Sequence, residues 1–150
     1  MTYRIRTDQT LERPLDVVFA FFSDAGNLEA ITPPELRFEI RTPQPIAMHA
    51  GTRIEYRLHL YGVPFHWRTC ITAWEPGRRF VDEQESGPFA LWVHEHVFES
   101  LGPTSTRIRD EVRYALPLEP LGRIAHPLVR AKLDRIFAYR EERVRALLAP

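Results

Sequence analysis

The sequence has little cysteine and no excess of either charge. Its single cysteine, Cys70, excludes an internal disulfide and suits a reducing compartment, so we expect a cytoplasmic protein. Lysine plus arginine and aspartate plus glutamate both number 20, which gives a formal net charge of zero. Without a basic excess, nucleic acid and anionic membrane surfaces are not expected partners.

Long apolar runs are also missing from this chain. No stretch approaches the ~20 apolar residues that span a bilayer, so no stable membrane insertion is expected. The first residues, Met-Thr-Tyr-Arg-Ile-Arg, lack the apolar segment of a signal peptide. The 150 residues suffice for one domain with its own core, and we predict a single ligand-binding domain over residues 1–150.

The last part of the chain has the periodicity of one long amphipathic helix. Apolar residues recur there at spacings of mostly three and four, and charged residues occupy the opposite face. The apolar positions are Leu121, Ile124, Ala125, Leu128, Val129, Leu133, Ile136, Phe137, Val144, Leu147 and Leu148. A stripe of this length requires a broad apolar partner, which we predict to be a sheet.

The first third of the chain predicts a strand followed by two short helices. The strand covers Tyr3–Leu11, and Pro14 suits the first turn of a helix that ends near Ser23. A second short helix is expected from Asn27 to Ile31, and a further strand with one apolar face from Leu36 to Arg41.

The middle of the chain alternates apolar and charged residues, which is typical of half-buried antiparallel strands. A tight turn at Gly62-Val63 would pair Leu58 with Trp67. A second turn at Pro76-Gly77 would pair Ala73 with Phe80 and Ile71 with Asp82. Opposed residues share a face, so these pairs assign the inner face.

Two later strands extend the same inner face. If Phe98 opposes Ile108, then His96 opposes Asp110 and Trp92 opposes Tyr114. The sequence therefore predicts an α+β fold: an antiparallel sheet of about six to seven strands wrapped around one long C-terminal helix, with two short helices after the first strand.

This inner face is apolar with a polar minority. The polar residues are Tyr56, Asp82, Gln84, His94, His96, Asp110 and Tyr114. Buried carboxylates must be paired or hydrated, and the predicted register offers His96 with Asp110 and His94 with Asp82. Apolar walls with a few convergent polar groups are typical of a small-molecule pocket.

Several roles for the two histidines remain open. They could be core residues satisfied by the aspartates, anchors for a ligand, or an acid–base pair with His96 catalytic and Asp110 orienting it. His-x-His could also bind a metal with Asp82 or Asp110 as a third ligand, but no spacing is diagnostic. We therefore predict neither a metal nor another cofactor.

The expected partner is a small hydrophobic or aromatic molecule of unknown identity. Its predicted contacts are Tyr56, Trp67, Asp82, Gln84, Trp92, His94, His96, Asp110, Tyr114 and Ile136. An alternative is an interaction module without a ligand, because the outer sheet face is expected to carry Trp74, Val93 and Val97 among its charges. For oligomeric state we expect a monomer or a weak homodimer.

The order of elements and several local motifs resemble the START-like (SRPBCC) superfamily. The motifs are Asn27-Leu28 with Ile31-Thr32-Pro33, then Gly62-x-Pro64-x-x-Trp67, Trp74-x-Pro76, and the run from Phe80 to Phe98 that contains Gly87-Pro88-Phe89. That superfamily includes polyketide cyclases/dehydrases, lipid-transfer domains and the birch-pollen-allergen group. The resemblance, to a bacterial branch of it, covers essentially the whole chain.

This resemblance implies a helix-grip fold with a cavity between the sheet and the long helix. The superfamily contains carriers, enzymes and sensors on one scaffold, so it transfers no catalytic residues. It adds one alternative function to ligand binding, a cyclase/dehydrase-type enzyme that uses the His96–Asp110 pair.

Overall fold

The computed structural model describes all 150 residues, which form one sheet and one long helix with short helices between them. The elements in chain order are β1 (Tyr3–Leu11), α1 (Leu15–Ser23), two 3₁₀ turns (Ala25–Ile31 and Pro34–Leu36), β2 (Glu39–Ile40), β3 (Arg53–Leu60), β4 (Val63–Glu75), β5 (Arg79–Ser86), β6 (Leu91–Gly102), β7 (Ser105–Ala115) and α2 (Leu121–Leu147).

The seven strands form a single antiparallel sheet in the order β1-β7-β6-β5-β4-β3-β2. Helix α2 packs on its inner face through Leu133, Phe137 and Val144, which are all buried. This arrangement confirms the α+β fold that the sequence predicts. No helix is both long and apolar enough to cross a membrane.

The register of β6 against β7 confirms the prediction residue by residue. Phe98 lies opposite Ile108, His96 opposite Asp110, and Trp92 opposite Tyr114. The histidines therefore turn toward α2, because they share a face with the buried residues Trp92 and Phe98.

The β3–β4 hairpin is tighter than predicted. Its turn is Tyr61-Gly62, and Leu58 lies opposite Phe65 instead of Trp67. Both turn residues have positive φ, 52° and 78°, as two-residue hairpins of this kind require. The shift is two residues, so every side chain keeps its predicted face.

A β-bulge in β4 contradicts one predicted pair. Ile71 lies opposite Asp82 as expected, but Ala73 pairs with Val81 and Trp74 with Phe80. The extra residue between the two pairs turns Trp74 inward, where its ring centroid lies 5.4 Å from that of Phe19. Trp74 is therefore not on the outer sheet face, where the alternative of an interaction module expected it.

Two boundaries also differ from the predictions. The strand expected over residues 36–41 is reduced to Glu39–Ile40, because Pro34–Leu36 forms a 3₁₀ turn and Arg37 adopts a φ of 46°. The first turns of α2 do not bury their apolar stripe: Leu121, Ile124 and Leu128 are 63%, 76% and 61% exposed. These side chains precede the segment of α2 that faces the sheet.

Candidate functional site

A cavity of about 170 Å³ lies between the inner face of the sheet and α2. Hydrophobic residues make up 19 of the 25 that line it. Its apolar part includes Leu58, Trp67, Trp92, Leu133 and Ile136. The core is therefore not completely filled under the long helix, as the pocket prediction requires.

Ionisable side chains form part of the cavity wall. His94 and His96 come from β6, Asp82 from β5, and Arg140 from α2. Asp110 of β7 contacts both histidines but does not itself line the cavity.

Strand geometry explains why these groups meet. His94 and His96 are two residues apart on β6, so both project from one face, and their rings stack with centroids 3.7 Å apart. The neighbouring strands place Asp82 opposite His94 and Asp110 opposite His96. The four residues form what we call the His–Asp cluster.

Both histidines of the His–Asp cluster contact both aspartates. Nε2 of His96 lies 2.7 Å from Oδ2 of Asp82, and its Nδ1 lies 3.1 Å from Oδ1 of Asp110. Nε2 of His94 lies 3.3 Å from the same Asp110 oxygen, while its Nδ1 is 3.9 Å from Asp82. The shortest contact thus joins Asp82 to His96, not to His94 as the strand pairing alone suggested.

The surroundings separate the pKa values of the two histidines. Burial alone would lower the pKa of His96, but hydrogen bonds with Asp110 and Asp82 outweigh it and raise that pKa. Burial, together with the adjacent charge of His96, lowers the pKa of His94. The cluster therefore holds a proton more tightly on His96 than on His94.

Both carboxylates of the cluster remain ionised. Burial would raise the pKa of Asp110, but its hydrogen bonds with His94 and His96 hold it well below the usual range. Burial opposes ionisation of Asp82 too, yet the hydrogen bond from His96 lowers its pKa. The charge on His96 is thus stabilised from two sides.

The structure brings seven of the ten predicted ligand contacts to the cavity wall. They are Tyr56, Trp67, Asp82, Trp92, His94, His96 and Ile136. Gln84, Asp110 and Tyr114 do not line it.

All three excluded side chains have structural partners, and those of Asp110 are the two histidines of the cluster. The Gln84 side chain donates to the backbone oxygen of Phe89 at 2.8 Å and accepts from its backbone N–H at 3.1 Å, which fixes the β5–β6 connection. The Tyr114 hydroxyl lies 2.9 Å from Nε2 of His126. The alternation of side chains along a strand assigns both residues to the inner face. It does not predict how far along the strand the cavity extends.

Arg140 lines the cavity and is absent from the predicted set. It follows Leu133, Ile136 and Phe137 at the spacing of the buried stripe of α2, so it occupies a position where that stripe would carry an apolar residue. A charged residue within an apolar stripe was the available signal.

Asp82, His94 and His96 have ligand atoms within 4.8 Å of one another, a spacing compatible with a metal ion. However, the Asp82–His96 contact of 2.7 Å is shorter than the roughly 3.3 Å between two ligands of a tetrahedral ion with bonds of about 2 Å. A metal would have to break this ion pair. That no metal binds stays a prediction.

An outer groove of about 410 Å³ adjoins the cavity near the start of α2. Leu60, Phe89 and Leu133 line both spaces and stand between them. The groove includes Val63 and Leu121, which are more than half exposed. Movement of the shared side chains would connect the cavity to the groove.

The sheet and the long helix, with the cavity between them, form a helix-grip fold like that of START-like proteins. The chain belongs to the family described as the domain of unknown function DUF8410, whose model matches residues 37–148. No curated protein matches the sequence.

Solved structures show the same fold along the whole chain. The chain is similar to the ZhuI aromatase/cyclase from Streptomyces sp. R1128, with a TM-score of 0.80, 16% identity, and coverage of 99% of this chain and 94% of that one. It is also similar to a START superfamily protein from Mycobacterium smegmatis (TM-score 0.71, 16% identity, coverage 96% and 98%). A protein from Thermus thermophilus gives a TM-score of 0.69 at 22% identity, with coverage of 97% and 99%.

We predict that the two cluster histidines titrate in separate steps. One apparent pKa of the coupled pair should lie above 6.5, the ordinary histidine value, because two carboxylates hold the proton, and the other should lie below it. Histidine ring signals in a ¹H–¹⁵N NMR titration measure both values. Asp82→Asn should lower the upper value, since it removes one of these charges.

The same shifts predict how stability depends on pH. The contribution of His96 is complete below pH 6.5 and is lost as pH rises through its folded pKa. The lowered pKa of His94 has the opposite effect on the free energy of unfolding. It destabilises the folded state increasingly as pH falls below 6.5. Two histidines that titrate together near 6.5 would contradict this description of the cluster.

Proposed function

We propose that this domain binds a small hydrophobic or aromatic molecule in the cavity between the sheet and α2. The observation that carries the proposal is an unfilled, mostly apolar space that has charged groups on part of its wall. A domain selected only for stability gains nothing from such a void, because each cavity forfeits packing contacts. A ligand would restore those contacts.

The size of the cavity limits its occupant. An engineered apolar cavity of roughly 150 Å³ holds one benzene molecule, so 170 Å³ suits a single ring with small substituents. A longer molecule would extend past Leu60, Phe89 and Leu133 into the outer groove. We infer a cytoplasmic carrier or sensor that acts as a monomer or weak homodimer, a location that the unpaired Cys70 supports.

We predict that Ile136→Trp abolishes binding of toluene and ethylbenzene. The larger side chain would occupy the space under α2, because Ile136 lines the cavity. Chemical-shift changes of the indole N–H signals of Trp67 and Trp92, recorded during titration with either compound, measure binding directly.

Tyr139→Trp supplies the matched control, since Tyr139 lies on the same helix outside the cavity wall. This variant should bind both compounds as the wild type does. If neither compound shifts the two indole signals in the wild-type protein, the binding proposal is wrong.

A second candidate function is acid–base catalysis on a bound ligand, as the sequence alternative suggests. The observation that favours it is the position of His96 on the cavity wall between two carboxylates. The similar ZhuI protein is an aromatase/cyclase. Both ring nitrogens of His96 contact carboxylates, so proton transfer to a ligand would require one of these contacts to open.

For this second function we predict that the protein accelerates exchange of the methyl hydrogens of acetophenone in D₂O. A positioned acid or base typically contributes 10²–10⁴-fold, so His96→Gln should slow the exchange at least about tenfold. Proton NMR follows the loss of the methyl signal. Exchange no faster than in buffer, or equal rates in both proteins, would exclude a catalytic His96.

A further inference from the structure

Arg140 is the one basic residue other than histidine on the cavity wall, and no carboxylate lies within 4.0 Å of its guanidinium. Other arginines of α2 do have such partners: Arg130 pairs with Asp134 at 3.0 Å, and Arg135 pairs with Glu35 at 2.6 Å. Burying a guanidinium without an acceptor is unfavourable. The partly buried position of Arg140 therefore calls for an acceptor.

Arg140 has one hydrogen-bond acceptor within the protein, and that contact is long. Its guanidinium carbon lies 5.6 Å from the ring centroid of Phe22, which is a cation–π distance. Its Nη2 lies 3.5 Å from Nδ1 of His96, but that nitrogen is nearer to Asp110, at 3.1 Å. A guanidinium has five N–H donors, so this single long contact leaves most of them without an acceptor.

A second donor among the lining residues also lacks an acceptor. The indole nitrogen Nε1 of Trp67 is buried and has no hydrogen-bond partner in the protein. Trp67 is 6% exposed, so bulk water does not compensate for the missing bond. This nitrogen is not exposed to the cavity, so it is the remaining N–H groups of Arg140 that indicate a ligand that accepts hydrogen bonds.

Charge decides which kind of acceptor fits. When His96 is protonated, the carboxylates of Asp82 and Asp110 balance its charge and that of Arg140. An uncharged acceptor leaves this balance intact, whereas a carboxylate on the ligand would add an unbalanced charge. A carbonyl oxygen meets both requirements.

We propose that the ligand of this cavity carries a carbonyl oxygen on a ring-sized apolar body, and that Arg140 donates hydrogen bonds to that oxygen. This inference rests on the proposed ligand-binding function and adds the polar group that the ligand must have. Arg140 is then the residue that selects among apolar molecules of similar shape.

Two probes of nearly equal shape test the inference. Acetophenone and α-methylstyrene differ in a C=O against a C=CH₂ group, so only the first can accept from Arg140. The ratio of their affinities, measured by isothermal titration calorimetry, should fall about tenfold in Arg140→Met, which keeps an unbranched side chain but removes every donor. Binding of α-methylstyrene itself should persist in this variant.

Arg143→Met is the matched control, because Arg143 lies on the same helix and outside the cavity. It should leave the affinity ratio unchanged.

An equal ratio in wild type and Arg140→Met, with both probes bound, overturns the role of Arg140 and retains the binding function. Stronger wild-type binding of 1-phenylethylamine than of acetophenone would also overturn it, since Asp82 would then dominate. Failure of every probe to bind the wild type would overturn both proposals.

Discussion

The structure depends on how two carboxylates are accommodated on the inner face of a sheet. Buried Asp82 and Asp110 would be strongly destabilising alone, but both contact His96 at 2.7 and 3.1 Å. These contacts need β5, β6 and β7 in one register, because a slip of one residue would turn the histidines away from α2. The electrostatic requirement and the strand pairing thus reinforce each other.

The same arrangement makes the cavity asymmetric. Aromatic and aliphatic residues supply most of the wall, and the cluster with Arg140 supplies a charged part. A small molecule could therefore gain hydrophobic contact along most of its surface while one polar atom meets Arg140. The outer groove beyond Leu60, Phe89 and Leu133 gives such a molecule a route and additional space.

Alternation and strand pairing predicted the fold and most of the named residues that line the cavity. An error of two residues in the pairing leaves each side chain on its predicted face. The hairpin at Tyr61 is shifted by two residues, yet Trp67 keeps its face. The bulge in β4 has a different effect, because one inserted residue moves the following side chains to the opposite face and turns Trp74 inward. Gln84 was assigned to the site because parity alone gives no position along the strand. Arg140 was missed because its charge set it apart from the apolar stripe.

The most direct test of this account is a double-mutant cycle on Asp82 and His96, with unfolding free energies from urea denaturation at pH 6. Asp82→Asn and His96→Gln should each destabilise the protein by about 3 kcal/mol, since each leaves a buried partner without its counter-charge. The double variant should lose at least about 1 kcal/mol less than the sum of the two. Additive losses, to within about 0.5 kcal/mol, would contradict the claim that this ion pair holds the inner face together.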